Sequence, residues 1–191
     1  MAVKSNLKNM ALCLTAVCLV CSALLAGAYA LPKSPIEAAA KAKTEKSLSA
    51  VLPAFQSVEA TELDGVRYYT AVKDGETVGY AIESGTIGFG GPLTLMVGVS
   101  ADGTVYNTSV LSHNETPGLG AKCTSDKKFM AQWQGLDPAQ KILSVKKDGG
   151  DIDAITASTI TSRAFLKGVN AAYDVFKNNC ATPKTEDNEQ E

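Results

Sequence analysis

The residues best placed to do chemistry lie in one stretch, Asp153-Ala154-Ile155-Thr156-Ala157-Ser158-Thr159-Ile160-Thr161-Ser162. It follows Gly149-Gly150 and runs into a segment with helical spacing, so its hydroxyls crowd at a helix start. A helix start leaves backbone N–H groups without intrahelical partners and carries the positive end of the helix dipole. Ser and Thr are favoured there as N-caps, and capping accounts for one or two of these side chains. The rest suit an anion. A phosphate would be stabilised at this point, and a phosphate esterified to one of the threonines would put its charge where the field favours it.

Two glycine-containing segments accompany this stretch. His113-Asn114-Glu115-Thr116-Pro117-Gly118-Leu119-Gly120 reads as a turn carrying one solvated His and one solvated Glu. Gly85-Thr86-Ile87-Gly88-Phe89-Gly90-Gly91-Pro92 reads as a hairpin connection. Backbone free of side chains, as at Gly88, Gly90 and Gly91, can also approach a planar ligand closely. Lys122 and Arg163 are either solvated cations or partners for a phosphate. No residue pair suggests a general acid and base, and no G-x-G-x-x-G follows a strand, so dinucleotide binding has no support.

These residues need elements to position them. A helical pattern spans Pro35 to Val51, with Ser34 as cap and Pro35 in the first turn. Residues 56–66 lack periodicity and read as a loop. Arg67–Lys73, Thr77–Ser84, Leu93–Ser100 and Thr104–Leu111 read as strands, joined in part by the turns Asp74-Gly75 and Asp102-Gly103. Thr116–Gly120 is a loop. Ser125–Trp133 is a short helix capped by Ser125 or Thr124, Ile142–Lys146 a short strand and Lys147–Gly150 a turn. Ile160, Ala164, Phe165, Val169, Ala172, Tyr173 and Phe176 give a helix from about Thr159 one apolar face. The expected fold class is α+β: a small antiparallel sheet with flanking helices.

Ahead of this domain lies a run without charge between Lys8 and Lys33, with Met10 to Leu31 as its core. That length suits a membrane-crossing helix, and Lys4 and Lys8 place its start in the cytoplasm. Ala28-Tyr29-Ala30 has the form of a signal cleavage site, but the apolar run exceeds a signal core of about 7–15 residues. A retained anchor is the favoured reading, and the bulk of the chain is exported either way. Lipoprotein processing is disfavoured, because Val17 and Val20 precede Cys18 and Cys21 where a small residue is expected. The divisions are 1–9 cytoplasmic, 10–31 transmembrane, 32–55 stalk, 56–178 folded domain and 179–191 a disordered acidic tail.

The 191 residues carry a formal net charge of −2, with lysines scattered among acids, which argues against a nucleic-acid partner. Cys13, Cys18 and Cys21 fall in the apolar run and behave as small apolar residues. Cys123 and Cys180 fall in the exported part, where a disulfide between them is an open alternative to free thiols. No C-x-x-C pair lies near a histidine, so no metal site is expected.

The hydroxyl-rich stretch resembles the flavinylation motif D-x-x-[ST]-G-A-[TS]-x-[TS] of FMN-binding subunits of bacterial ion-translocating oxidoreductases. Asp153, Thr156, Thr159 and Thr161 match it, while Ala157 and Ser158 stand where Gly and Ala are usual. His113 to Gly120 resembles the H-x-E-T-P-G-L-G loop of the G subunit of Rnf-type complexes, found in similar form in the C subunit of the sodium-pumping NADH:quinone oxidoreductase. Leu31-Pro32-Lys33-Ser34-Pro35-Ile36-Glu37 and Val51-Leu52-Pro53-Ala54-Phe55 also fit. The resemblance implies an FMN joined through its phosphate to Thr159 by a flavin transferase. It further implies cofactor contacts from Thr156, Ser158, Thr161, His113, Glu115, Thr116, Gly118, Leu119 and Gly120. It implies a role as an electron-carrying subunit among other membrane subunits of a ferredoxin:NAD oxidoreductase, with the C subunit of the quinone reductase as the alternative. A cofactor-free exported binding module is the reading that uses neither motif.

Overall fold

The computed structural model describes residues 7–30, 33–63 and 65–180. It divides into two units, one ending at Lys43 and one starting at Thr44. In the first, helix α1 spans Leu7–Ala30. Its Leu7–Gly27 portion is apolar enough to cross a membrane, with mean hydropathy 2.3. Its large side chains, from Leu7 through Leu12 and Leu19 to Leu25, are exposed. Helix α2 spans Lys33–Val51, and its last turns belong to the second unit. The expected exit Leu31-Pro32, the first six residues and the tail from residue 181 lie outside the described residues.

The second unit is built on a five-stranded antiparallel meander in the order β1 (Ser57–Leu63), β2 (Val66–Lys73), β3 (Glu76–Ile87), β4 (Pro92–Ser100) and β5 (Val105–His113). The β2–β3 hairpin turns through Asp74 and Gly75, both at positive φ, as the sequence signal requires. β4 explains its own nearly continuous apolar run, because both of its faces are covered. Leu93, Leu95, Val97 and Val99 join one core with Ile82, Phe165 and Val169, while Met96 joins a second with Leu48, Val51, Leu52, Tyr69 and Ala81. Each fully buried aliphatic side chain contributes about 1.5–3 kcal/mol, so the two layers hold the sheet from both sides. On the second face the end of α2 is fixed by Asn107 donating to the Ala50 carbonyl at 3.0 Å.

Four local expectations are corrected. α2 begins at Lys33, so Ser34 stands inside its first turn and is not its cap. Residues 56–66 are not a loop: within them β1 occupies Ser57–Leu63 as an edge strand paired with β2, which begins at Val66. Its side chains are mostly exposed on both faces, so the alternation that marks a half-buried strand never forms. The short helix is α3, Lys127–Ala131, and its cap is Asp126, whose carboxylate accepts from the N–H groups of Lys128 and Phe129 at 3.0 and 3.2 Å. Ser125 and Thr124 do not serve, the latter belonging to the 3₁₀ turn Gly120–Thr124. Ile142–Lys146 forms no strand. Val145 makes a single parallel bridge to Ile152, around a 3₁₀ turn at Lys146–Asp148 closed by Gly149 at φ 82°.

Helix α4, Thr159–Asn179, crosses the first face of the sheet and extends three residues past Phe176. The rings of Phe129, Trp133 and Phe165 pack at centroid distances of 5.0–5.6 Å and tie α3 to the first turns of α4. Cys123 and Cys180 are free thiols, so the disulfide alternative is not realised.

Candidate functional site

The start of α4 is held by backbone and side-chain bonds that leave its first turn open. Gln132 clamps Asp153 at both backbone atoms: Asp153 N–H donates to Gln132 Oε1 at 2.7 Å, and Gln132 Nε2 donates to the Asp153 carbonyl at 3.1 Å. The Asp153 carboxylate bridges Lys146 at 2.9 Å and Lys128 at 3.9 Å. The hydrogen-bonded Lys146 ammonium holds that carboxyl below its usual range. Ser162 Oγ accepts from Ile155 N–H and donates to the Ser158 carbonyl, closing the turn that precedes the helix.

The expected capping role is not filled. Ser158 occupies the N-cap position, but its side chain makes no capping bond, and its Oγ is buried without a partner. A buried hydroxyl without a partner is costly unless something bonds it, and the uncapped helix start leaves N–H groups free for water or an anion. Ala157, just before, sits at φ 61°, a left-handed conformation that a residue with a Cβ seldom adopts.

The two motifs meet. Thr161 Oγ1 donates to Glu115 Oε2 at 2.8 Å, and Glu115 is buried. Its other oxygen faces Gly90 N–H at 3.4 Å. A Cβ at Gly88 or at Gly120 would overlap the Glu115 carboxylate, so these glycines make the room it occupies. Glu115 N–H donates to His113 Nδ1 at 3.2 Å, which fixes the bend where β5 ends. Cys123 lies close by. Burial, reinforced by the Glu115 charge, pushes its thiol up to about 11.

Around this junction opens a cavity of about 380 Å³ lined by Phe89, Glu115, Thr116, Leu119, Gly120, Ala157, Ser158, Thr159, Ile160 and Thr161. That volume lies within the usual range for small-molecule sites. Phe89, Leu119 and Ile160 are 69%, 44% and 54% exposed and form apolar walls above a floor of hydroxyls. A second cavity of about 360 Å³ backs onto it, lined by Lys146, Lys147, Asp153, Thr156, Ala157 and Thr159 among others. Thr159 belongs to both. A third cavity, near Glu62, Arg67 and Glu83, contains none of the residues expected from sequence.

Of those residues, Glu115, Thr116, Leu119, Gly120, Ser158, Thr159 and Thr161 line the first cavity, and Thr156 lines the second. His113 and Gly118 line neither: His113 supports the loop and Gly118 takes a turn conformation at φ 75°. Arg163 is committed to Asp148 through two bonds of 2.7 Å, and Lys122 lines neither cavity. Sequence reasoning missed Phe89 and Ile160. Phe89 carried a signal, an aromatic residue set between glycines, whereas Ile160 read as an ordinary apolar helix position.

The fold is that of an FMN-binding domain. Residues 88–174 match the family described as FMN-binding domain. The fold is similar to the crystal structure of the C subunit of the Na(+)-translocating NADH-quinone reductase from Parabacteroides distasonis, with TM-score 0.50 and 19% identity over 71% of this chain and 81% of that one. The chain is 34% identical to the G subunit of the proton-translocating ferredoxin:NAD(+) oxidoreductase complex of Clostridium ljungdahlii, over 84% of this chain and 86% of the relative. It is 35% identical to the Na(+)-translocating counterpart of Acetobacterium woodii, over 78% of this chain and 70% of the relative. The chain belongs to the family of G subunits of ion-translocating oxidoreductase complexes. The residues present fit an FMN: apolar walls for a ring system, and an uncapped helix start with an unspent Ser158 hydroxyl for an anionic tail.

Proposed function

We propose that this chain is the electron-transfer subunit of a membrane-bound, ion-translocating ferredoxin:NAD oxidoreductase, and that its FMN is attached by a phosphoester to Thr159. The observation that carries the reading is the position of Thr159, first residue of α4 and wall of the cavity where the two motifs join. When bound, the flavin supplies the redox chemistry. The chain's own residues do the rest. Phe89, Leu119 and Ile160 offer apolar surface for a ring, and the Glu115–Thr161 pair fixes the two loops against each other. The uncapped start of α4 favours negative charge. A covalent tether lets a partly open cavity keep its cofactor while donor and acceptor reach it.

The same reading assigns 10–31 to a single membrane-spanning anchor. The stalk expected over 32–55 is cut back to the part before Thr44, and the FMN-binding domain expected over 56–178 is extended at both ends, because Leu48, Val51 and Leu52 belong to its core and α4 runs to Asn179. The N-terminus is cytoplasmic, because Lys4 and Lys8 flank the apolar run, and the domain lies on the outer side of the inner membrane. Other membrane subunits of the complex are the electron partners, and a flavin transferase matures the chain. The alternative, the C subunit of a sodium-translocating quinone reductase, shares the fold, whereas the relatives covering most of this chain are named as G subunits.

The test is coexpression of the full chain with a flavin transferase, followed by denaturation and in-gel flavin fluorescence. The wild-type chain should fluoresce and carry the mass of one FMN ester, and Thr159→Ala should be dark. A fluorescent Thr159→Ala chain would move the attachment to Thr156 or Ser158. An unmodified wild-type chain would remove the electron-carrier reading.

A further inference from the structure

The second cavity behind Thr159 is cationic, and its charges are unequally spent. Lys146 and Lys128 are both taken by Asp153. Asp148, the next acid along, gives both of its oxygens to Arg163. Lys147 lines the cavity beside Thr156 and Thr159, and among the described residues no carboxylate lies within 4.0 Å of its ammonium; its charge is felt by Asp148, whose oxygens are bonded to Arg163. The Lys147 backbone is held rigidly. The turn is tied by Lys146 N–H to the Ile152 carbonyl at 2.9 Å and by Asp148 N–H to the Val145 carbonyl at 2.8 Å. Gly150 packs so closely on Ser144 that a Cβ there would overlap its carbonyl. No side chain caps the helix start that Thr159 opens, and the buried, unpartnered hydroxyl of Ser158 lies at that start on the side of the first cavity.

We infer that Lys147 is the cation that faces the phosphate esterified to Thr159, and that the second cavity is where that phosphate is received during attachment. The inference rests on the Thr159 reading above and adds the residue that recognises the anion. A phosphoester on a residue that walls both cavities borders both: the apolar one suits the ring, the cationic one the phosphate. Arg163, the cation nearest in sequence, is already committed to Asp148. In the attachment step Thr159 Oγ bonds to the phosphorus of FMN supplied as a phosphoanhydride. The anhydride P–O bond breaks, the second phosphate compound leaves, and the Thr159 proton passes to a base of the transferase. No electrons are exchanged. One negative charge remains on the diester, opposite the Lys147 ammonium.

The experiment follows attachment to the full-length chain by mass over time, with a flavin transferase and its flavin donor, at several salt concentrations. Lys147→Ala should slow mass gain about threefold to fivefold at low salt, and Lys147→Arg should stay within about twofold of wild type. The salt dependence of the wild-type rate should flatten in Lys147→Ala, because one screened ion pair is gone. In the loaded chains, the phosphorus NMR signal of the diester should move in Lys147→Ala and return in Lys147→Arg. Wild-type rate and signal in Lys147→Ala would overturn the inference. So would a Lys147→Arg chain as slow as Lys147→Ala. Thr159→Ala separates the two readings: if it still gains mass, the attachment site is wrong, whereas if it is blank and Lys147→Ala is normal, only the role of Lys147 fails.

Discussion

Thr161 donates its hydroxyl hydrogen to the buried carboxylate of Glu115 at 2.8 Å, across 46 residues of chain. This bond joins the loop after β5 to the start of α4. Thr161→Val keeps the shape and removes the donor, leaving a buried carboxylate oxygen without a partner. We expect a loss of about 1–3 kcal/mol in urea unfolding. A Thr161→Val chain as stable as wild type would show that the bond does not hold the two loops together.

Ala157 carries a Cβ at φ 61°, at the position where the motif usually has Gly. Ala157→Gly relieves that backbone at a smaller entropic cost in the unfolded chain. Stability should rise by about 0.5–1 kcal/mol, read as a higher melting temperature. A lower melting temperature would mean that the Ala157 methyl makes contacts worth more than the strain.

Gly88 leaves room for Glu115 Oε1, and a methyl group there would overlap it. Gly88→Ala should displace Glu115 and cost about 1–3 kcal/mol, as overpacking does. The same variant should gain flavin more slowly in the coexpression assay, since Glu115 lines the cavity. Gly65→Ala tests strain without crowding, because Gly65 stands at φ 76° with open space around it. It should lose stability and keep normal flavin gain.

Cys123 is fully buried, and burial followed by the Glu115 charge lifts its thiol from 9.0 to about 11. A raised folded-state value means that the neutral thiol contributes stability in full below pH 9, and that this is lost as pH rises through 11. Alkaline unfolding should therefore be shallower in Cys123→Ala over that window. At pH 8.5 iodoacetamide should leave Cys123 unmodified in the folded chain and label it in urea. Rapid labelling in the folded chain would contradict the packing described.

Much of this molecule was legible in its residues, and the failures have physical causes. The β2–β5 meander followed from turn pairs such as Asp74-Gly75, whose positive φ values few other residues tolerate. α4 followed from one apolar face at helical spacing. β1 escaped because an edge strand exposed on both faces has no alternation to show. The cap of α3 was missed by one residue, because Thr124, Ser125 and Asp126 all can cap and only the local backbone chooses among them. Phe89 was passed over because its glycine neighbours drew the reading toward a flexible turn.

By itself the sequence determined the α+β class, the apolar N-terminal helix and the two motifs, because these depend on neighbours a few residues apart. Only the tertiary structure decided that Glu115 and Thr161 bond, that Arg163 is committed to Asp148 while Lys147 is not, and that Thr159 walls two cavities. Those facts depend on distances between segments far apart in the chain. Which of several equivalent hydroxyls or cations is left unspent is set by who its neighbours in space are, and folding alone brings them together.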